Sequence, residues 1–300
     1  MPPAAAPEPA AANLCSPREV SALLRARGIR PSKALGQNFL VDRHVLDRIV
    51  AAADLPPGAR VLEVGAGLGV LTSALLDAGA RVTAVEKDPA LQPILRERLG
   101  ARPGFELVCG DALELDYAAL FAPGACTRLV SNLPYSVGTR ILLEVCRHPL
   151  APATCLVMVQ KEVADRLAAA PSTPDRGQAG VWIQQRYDVE AVRTVKPTCF
   201  WPQPEISSTV VRLVRHDRLP LNDAQRRVFE AVTKLAFMHR RKQMASIFRN
   251  AGPLGGAAVG DPAAWLASVG LAPSVRPEQI SNDEWRKLAC ALADNGGQEA

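Results

Sequence analysis

The stretch RVLEVGAGLGVLT (residues 60–72) combines a short apolar run, three glycines and the beginning of a helical pattern. Glycine accepts the backbone conformations of a tight turn, so a strand, a turn and a helix are predicted in that order. Gly65, Gly67 and Gly69 would let a nucleotide approach the backbone at the start of the helix. The dinucleotide fingerprint GxGxxG requires a glycine at position 70, where the chain has Val70, so NAD is not the expected ligand. An ordinary tight βα turn without a ligand is the alternative interpretation.

Units of the same kind recur on both sides of this stretch. Strands are predicted at RVLEVGAG, RVTAVEKD, FELVCGDAL, TRLVSNLPY and ATCLVMVQ, and helices at SPREVSALLRARG, RHVLDRIVAAADL, GVLTSALLDAG, PALQPILRERLG, TRILLEVCRH and KEVADRL. Alternating strands and helices predict an α/β fold with a parallel sheet covered by helices on both faces. The carboxyl ends of such strands lie along one edge of the sheet, where ligands bind.

The pattern changes in the last third of the chain. Strands punctuated by proline occupy residues 191–216, one long helix is predicted over 221–250, and short amphipathic helices follow. We therefore predict a disordered Pro/Ala-rich tail at residues 1–16, an α/β domain at 17–215 and a small all-helical C-terminal domain at 216–295.

Composition narrows the class of protein. The chain has 300 residues, of which 48% are hydrophobic and 22% charged, as in soluble globular proteins. A formal net charge of +5 permits a polyanionic partner without requiring one. Seven cysteines without a CxxC pair and four scattered histidines support neither a disulfide framework nor a metal site. The N-terminal tail lacks the features of a secretory signal, and no run is long enough to span a bilayer, so a cytoplasmic location is expected.

Two of the following strands end in a carboxylate. Glu86 comes about 20 residues after the glycine turn, where an acid can accept hydrogen bonds from both hydroxyls of a ribose. Asp111 ends the next strand and could accept from an adenine amino group or cap the following helix. The GxGxG spacing, with Glu63 two residues ahead of Gly65, looks like the S-adenosylmethionine loop of Rossmann-like methyltransferases. Together the three strand ends predict an S-adenosylmethionine site.

The next strand ends in Asn132-Leu133-Pro134-Tyr135. This sequence resembles the [DNS]-[LIP]-P-[YFW] motif of methyltransferases that act on the amino group of adenine or cytosine. The Asn132 side-chain oxygen and the Leu133 backbone carbonyl would each accept one amine hydrogen, which aims the nitrogen lone pair at a methyl donor. Pro134 stiffens the turn, and Tyr135 offers a ring on which an extruded base stacks. The alternative is a strand-ending turn with a buried tyrosine.

Seven segments carry a wider resemblance: LGQNFLVD (35–42), LEVGAGLGVLT, VEKD, GDAL, NLPYSVGT, QKEVADRL (160–167) and FWPQPEISSTVVRL (200–213). In these segments and their order the chain resembles the ribosomal RNA adenine N6-dimethyltransferase family, over nearly its whole length. The resemblance implies that Asn38 and the Leu40 backbone contact the cofactor, with Gln37 near its carboxylate end. It also implies that Phe200 flanks the target adenine opposite Tyr135, and a place in the core is the alternative for Phe200.

The predicted site residues form three sets. The cofactor-binding set is Gln37, Asn38, Leu40, Gly65, Gly67, Glu86, Asp111, Ala112 and Asn132, and the catalytic set is Asn132, Leu133, Pro134, Tyr135 and Phe200. By the resemblance, Arg240, Arg241 and Lys242 on a basic helix would contact rRNA phosphates, as would Lys161. A solvated charged face is the alternative for these four residues.

Within the family, RPSKALGQNFLVD and RPEQISNDEWRKLA resemble the bacterial small-subunit enzyme more than the resistance methylases. The resemblance implies dimethylation, with S-adenosylmethionine, of two adjacent adenosines in the 3′-terminal hairpin loop of 16S rRNA, by a monomer bound to an immature small subunit. Methylation of large-subunit (23S) rRNA, which confers macrolide resistance, and a mainly non-catalytic role in ribosome assembly are the alternatives. Arg176, Gly180, Glu205 and Ser207 depart from the family pattern, so details of RNA docking could differ.

Overall fold

The computed structural model describes residues 14–122 and 125–296. The strands are β1 (Phe39–Leu40), β2 (Arg60–Val64), β3 (Arg81–Glu86), β4 (Phe105–Cys109), β5 (Arg128–Asn132), β6 (Thr154–Gln160), β7 (Tyr187–Val195), β8 (Phe200–Trp201) and β9 (Ser208–Arg215). The α-helices are α1 (Pro17–Ala26), α2 (Arg43–Ala52), α3 (Val70–Asp77), α4 (Gln92–Leu99), α5 (Tyr117–Leu120), α6 (Gly138–Arg147), α7 (Lys161–Ala168), α8 (Gln178–Gln184), α9 (Asp223–Met238), α10 (Met244–Phe248), α11 (Pro262–Ala267) and α12 (Asn282–Gly296). In this part of the chain, no helix has the length and apolar character that crossing a membrane requires.

The first helices form where the sequence provides caps and one apolar face. Pro17 opens α1, a position at which proline's fixed φ suits a helix and its missing N–H costs no hydrogen bond. The Asp42 carboxylate caps α2 by accepting from the Val45 N–H at 2.9 Å. Each helix buries one stripe of apolar side chains, which include Val20 and Leu24 in α1.

A seven-stranded sheet has the order β4-β3-β2-β5-β6-β9-β7. The pairs β2–β3, β3–β4 and β2–β5 are parallel, and Val61 on β2 lies opposite Val82 on one side and Arg128 on the other. The chain runs outward from β2 to β3 and β4 and then returns to β5 on the opposite side of β2. Such a reversal leaves a crevice at the carboxyl ends of the two central strands, and ligands of open α/β sheets bind there. The predicted α/β architecture is therefore confirmed.

The chain divides into two compact units that alternate along the sequence. Unit 1 consists of the described part of Met1–Ile141 with Cys155–Lys161 and Arg193–Val210. Unit 2 consists of Leu142–Thr154, Glu162–Val192 and the described part of Val211–Ala300. Each unit has a hydrophobic cluster of its own. The division into two compact units does not test whether the chain folds as two domains that meet at residues 215/216. That boundary stays a prediction.

The predicted N-terminal tail falls mostly outside the described residues, because these begin at residue 14. Leu14 is only 3% exposed and belongs to the same apolar cluster as Val20 and Leu24. Packing within unit 1 therefore begins two residues ahead of the end that we predicted for the tail.

The prediction of a single helix over residues 221–250 is wrong. Helix α9 ends at Met238, a turn follows, and α10 begins at Met244. The His239 N–H bonds to the Ala236 carbonyl, and the Lys242 N–H bonds to the His239 carbonyl, so the chain turns away from the helix axis. This turn lets Met244 and the residues after it enter the core of unit 2, and that burial overrides the helical propensity of the basic segment.

Arg176, one of the departures from the family pattern, is completely buried in unit 2. Its guanidinium donates to the Ala169 carbonyl at 2.8 Å and to the side-chain oxygens of Gln184 and Asn282. Burial lowers the pKa of Arg176 to about 10, so the side chain stays charged at neutral pH. A second departure, Gly180, has a packing reason, because a Cβ there would lie 2.4 Å from the Arg166 carbonyl oxygen. These two departures therefore serve the packing of unit 2.

We expect Arg176→Met to lower the free energy of unfolding by roughly 2 to 4 kcal/mol, because buried acceptor oxygens lose their donor. Urea denaturation followed by circular dichroism measures this change. Arg193→Met makes the same substitution at an exposed position and is the control. An equal loss in the two variants would show that the buried hydrogen bonds do not stabilise unit 2.

Candidate functional site

A cavity of about 360 Å³ lies at the carboxyl ends of β2 and β5, entirely within unit 1. Its volume falls within the range of small-molecule and cofactor sites, roughly 300 to 1,000 Å³. Most of the predicted site residues line it: Gln37, Asn38, Leu40, Gly65, Gly67, Glu86, Asp111, Ala112, Asn132, Leu133, Pro134 and Tyr135. Residues that are up to about a hundred positions apart in the sequence thus meet around one space.

The glycine turn after β2 forms the floor of this cavity. Gly65 and Gly67 have φ values of 77° and 60°, a left-handed region that other residues adopt only with strain. A Cβ on Gly65 would lie 3.2 Å from Pro134 Cδ, and one on Gly67 would lie 3.3 Å from the Phe39 ring. Side chains at these positions would therefore press on the Pro134 turn and on the Phe39 ring.

Glu86 at the end of β3 is held by backbone groups of the turn. The Gly67 N–H donates to Glu86 Oε2 and the Asp88 N–H donates to Oε1, each at 2.8 Å. Burial raises the pKa of Glu86, and these two N–H groups oppose the rise. A carboxylate oxygen has two acceptor positions, so each oxygen can accept one further hydrogen bond from a ligand hydroxyl.

Asp111 follows β4 and faces a lysine. Its Oδ1 accepts from the Leu113 N–H at 3.0 Å, and its Oδ2 lies 2.5 Å from Lys87 Nζ. The Leu113 N–H and then Lys87 hold the pKa of Asp111 below its usual range. Asp111 does not cap a helix, the alternative that the sequence left open, because the next helix begins at Tyr117; its carboxylate stabilises a turn instead.

The segment from Ala34 to Leu40 borders the cavity and is fastened by Gln37. Gln37 Oε1 accepts from the Ser32 N–H at 2.8 Å, and Gln37 Nε2 donates to Asp88 Oδ2 at 2.7 Å. Both ends of the Gln37 amide therefore have protein partners. Gln37 thus holds its own segment against the loop after β3.

Asn132 is the last residue of β5, and its amide lies beside the glycine turn. Its Nδ2 donates to the Asn38 carbonyl at 3.3 Å. Its Oδ1 is buried and has no hydrogen-bond partner among the described residues. An unpaired buried acceptor costs about 1 to 3 kcal/mol, and a hydrogen bond from a ligand N–H would recover that cost.

Tyr135 is fixed in place at the edge of the cavity. Its hydroxyl hydrogen bonds with the Ser208 hydroxyl, and its ring packs edge-on against Phe200 with centroids 6.5 Å apart. Burial raises the pKa of Tyr135, so the phenol is neutral at physiological pH. Phe200 is only 3% exposed and is not among the residues that line the cavity.

None of the predicted RNA-binding residues is among the residues that line the cavity. Arg241 and Lys242 are exposed in the turn after α9, not on a helix. Arg240 donates to the Pro174 carbonyl and lies 3.8 Å from the Glu278 carboxylate, so it is partly engaged within unit 2. Lys161 is the first residue of α7 and is exposed.

Glu63, two residues ahead of Gly65 in the predicted S-adenosylmethionine loop, also lines the cavity, although we predicted no contact for its side chain. It is 2% exposed, and its Oε2 atom has no hydrogen-bond partner among the described residues. Burial raises the pKa of Glu63 to about 8. The nearby Thr72 hydroxyl opposes this rise in pKa, and the charge of Glu86 adds to it. The signal in the sequence was its position inside the apolar run of β2, since a parallel strand is buried on both faces.

Comparison with known proteins gives the relatives of this chain. A family model described as ribosomal RNA adenine dimethylase matches residues 29–261. A ribosomal RNA small subunit methyltransferase A from Geobacter metallireducens is 40% identical over 278 residues, which cover 92% of this chain and 100% of the relative. The fold of a dimethyladenosine transferase from Plasmodium falciparum is similar, with a TM-score of 0.71 over 86% of this chain and 98% of that one at 20% identity.

A 23S rRNA methyltransferase is also similar. The 23S rRNA methyltransferase ErmE has a TM-score of 0.62, is 28% identical, and covers 85% of this chain and 99% of its own. The family resemblance seen in the sequence is thereby confirmed. Because the family model spans well over half of its length, the chain belongs to the ribosomal RNA adenine dimethylase family.

Proposed function

We propose that this protein uses S-adenosylmethionine to dimethylate N6 of two adjacent adenosines in the 3′-terminal hairpin loop of 16S rRNA, in an immature small subunit. The observation that carries the proposal is that Asn132, whose buried Oδ1 is unpaired among the described residues, lines the same cavity as the glycine turn. The name of the Geobacter metallireducens relative, a small subunit methyltransferase, supports the choice of rRNA.

The cavity residues suit S-adenosylmethionine, which supplies an electrophilic methyl group. Glu86 would accept from the ribose hydroxyls with the acceptor positions that its backbone partners leave open. Asp111 and the Ala112 backbone would hold the adenine end, with Asp111 sharing its carboxylate between Lys87 and the ligand. Asn38 and the Leu40 backbone would contact the cofactor from the other side. Gln37 would act near the carboxylate end by holding that segment in place.

The target amine needs two acceptors. The lone pair of an adenine amino group is delocalised into the ring, which makes the amine a weak nucleophile. Hydrogen bonds to Asn132 Oδ1 and to the Leu133 carbonyl would favour a pyramidal nitrogen with its lone pair directed at the methyl group. Neutral Asn132 would not act as a base, and the methylated ammonium is acidic enough to lose its proton afterwards.

The target base needs a surface on which to rest outside the RNA stack. Tyr135 lies at the edge of the cavity with its ring fixed by Ser208, and Pro134 stiffens the turn that carries it. Stacking of a base on an aromatic side chain contributes roughly 1 to 3 kcal/mol, which offsets much of the cost of unstacking a nucleotide. Phe200 would have to turn outward to flank the base, because its ring is buried against Tyr135.

The remaining parts of the proposal concern the RNA and its location. Exposed Arg241 and Lys242, with Lys161 and part of Arg240, would contact phosphates without reading sequence. The protein would act as a monomer in the cytoplasm, where small subunits mature.

Deletion of the gene should remove dimethyladenosine from the 3′-terminal hairpin of 16S rRNA and leave 23S rRNA unchanged. Mass spectrometry of ribonuclease fragments from both rRNAs measures this outcome. Expression of the full chain in the deletion strain should restore the modification, and an empty vector is the control. Loss of methyladenosine from 23S rRNA, or macrolide resistance in a sensitive host, would favour the large-subunit alternative. Unchanged methylation in both rRNAs would favour the role in assembly.

A further inference from the structure

The chain that follows β5 carries two polar side chains that the chemistry of methyl transfer leaves unused. Ser136 and Arg140 both line the cavity of about 360 Å³, and both are exposed. Neither side chain has a hydrogen-bond or ion-pair partner among the described residues. Both residues belong to unit 1, as the rest of the lining does. The exposed edge of the cavity therefore carries an unpaired hydroxyl and an unpaired guanidinium.

The backbone holds these two residues in one compact segment. The N–H groups of Val137 and Gly138 both donate to the Pro134 carbonyl, at 3.2 and 2.7 Å. The chain thus makes one tight turn from Pro134 to Gly138, and α6 begins at once at Gly138. Ser136 lies within this turn and Arg140 lies in the first turn of α6. Both residues therefore follow directly from the turn that would hold the target base.

The segment before β1 packs against the same turn. A Cβ on Gly36 would lie 2.9 Å from the Tyr135 nitrogen and 3.1 Å from the Ser136 nitrogen. The Gly36 N–H also donates to the Lys33 carbonyl at 3.0 Å, which closes a turn in that segment. Backbone lies against backbone here, so the chain at Tyr135 and Ser136 has little room to shift. The two unused side chains therefore keep a fixed place relative to the Tyr135 ring.

The charge of Arg140 has no anion assigned to it. The Leu113 N–H, then Lys87 and to the smallest extent Arg140 lower the pKa of the Asp111 carboxyl, so Arg140 lies on the Asp111 side of the cavity. Asp111 is already paired with Lys87 at 2.5 Å. The carboxylate of S-adenosylmethionine would lie at the other end, near Gln37. An anion from outside the protein and its cofactor is therefore the remaining partner for Arg140.

We propose that Ser136 and Arg140 hold a phosphate of the RNA strand beside the target adenosine, at the exposed edge of the cavity. The inference rests on the proposed function, in which the target base leaves the stack and rests on Tyr135. A base turned out of the stack stays joined to its phosphates, so the strand passes this edge. A guanidinium and a hydroxyl both donate to phosphate oxygens, and such contacts position a strand without reading its sequence.

The test measures equilibrium binding of the full chain to unmethylated small and large ribosomal subunits from the deletion strain, at several salt concentrations. Arg140→Gln removes the charge, Arg140→Lys keeps it, and Ser136→Ala removes the hydroxyl. Arg81→Gln is the matched control, because Arg81 is an exposed arginine of unit 1 that begins β3, at the edge of the sheet opposite the cavity. Thermal unfolding shows that each variant is folded, and calorimetry measures its affinity for S-adenosylmethionine.

We expect Arg140→Gln to weaken binding of the methyl-accepting subunit about tenfold at low salt, as loss of a hydrogen bond to a charged group predicts. The slope of log K against log salt concentration should become shallower by about 0.7 to 0.9, the value for one phosphate contact. Ser136→Ala should weaken binding about threefold without changing the slope, because it removes no charge. Arg140→Lys should keep the slope, and Arg81→Gln should change neither quantity. The affinity of Arg140→Gln for S-adenosylmethionine should match that of the wild type.

Equal losses in Arg140→Gln and Arg81→Gln would overturn the proposal, because net charge alone would then explain binding. Wild-type affinity and slope in Arg140→Gln would also overturn it, and a weaker affinity for S-adenosylmethionine in that variant would make Arg140 a cofactor residue instead. None of these measurements involves methyl transfer. If the large subunit were the substrate, the proposed function would fail in the rRNA maps, while the same change of slope on the large subunit would support this inference.

Discussion

Asn132→Ala is expected to lower the rate of methyl transfer to 16S rRNA by roughly a hundred- to a thousandfold, the range seen when one positioned group that stabilises a transition state is removed. The buried Asn132 Oδ1 atom has no hydrogen-bond partner among the described residues, and alanine removes it. Alanine also removes the donor to the Asn38 carbonyl, a bond of 3.3 Å, so cofactor affinity should fall only modestly. Transfer of tritiated methyl groups to immature small subunits measures the rate.

Asn132→Asp is the matched variant for this prediction, because it keeps a side-chain oxygen at the same position and the motif accepts aspartate. It should retain more activity than Asn132→Ala. Calorimetry with S-adenosylmethionine and thermal unfolding separate a loss of chemistry from a loss of binding or folding. If Asn132→Ala transferred methyl groups at the wild-type rate, the Asn132 amide would have no part in the mechanism, whatever the affinity of the variant for the cofactor.

The ends of β2, β3, β4 and β5 could be predicted because local sequence and sheet geometry agree there. Apolar runs mark the strands, and parallel strands bring their carboxyl ends to one edge. Gly65, Glu86, Asp111 and Asn132 therefore meet around one cavity, as the sequence predicts. Each position depends on its own strand and turn, so a single sequence contains the information.

Other features depend on contacts between distant segments, which a single sequence does not show. The place of Gln37 near the cavity could be predicted. Its partner Asp88 could not, because the two residues are 51 positions apart in the sequence. The turn after α9 exists because Met244 and its neighbours enter the core of unit 2. Helical propensity alone predicted a continuous helix there. The burial of Phe200 depends in the same way on contacts between distant segments: its packing against Tyr135 and the pairing of β8 with β1.

Glu63 should make the stability of the protein depend on pH, and Glu63→Gln should remove that dependence. The pKa of Glu63 is about 8 in the folded protein and lies near its ordinary value of 4.5 in the unfolded chain. Between these values the folded state holds a proton that the unfolded state has lost, so stability decreases as pH rises. The decrease is about 1.4 kcal/mol per pH unit, or roughly 4 kcal/mol from pH 5 to pH 8.

Glutamine has the shape of the protonated carboxyl and does not titrate in this range. The difference in unfolding free energy between Glu63→Gln and wild type should therefore be small at pH 5 and should grow in favour of the variant up to pH 8. Urea denaturation at each pH unit measures it. Glu106→Gln removes an exposed carboxylate from β4 of the same sheet and should leave the pH dependence of the wild type in place. A constant difference between Glu63→Gln and wild type from pH 5 to pH 8 would mean that Glu63 is ionised throughout, and that a buried group or bound cation compensates its charge.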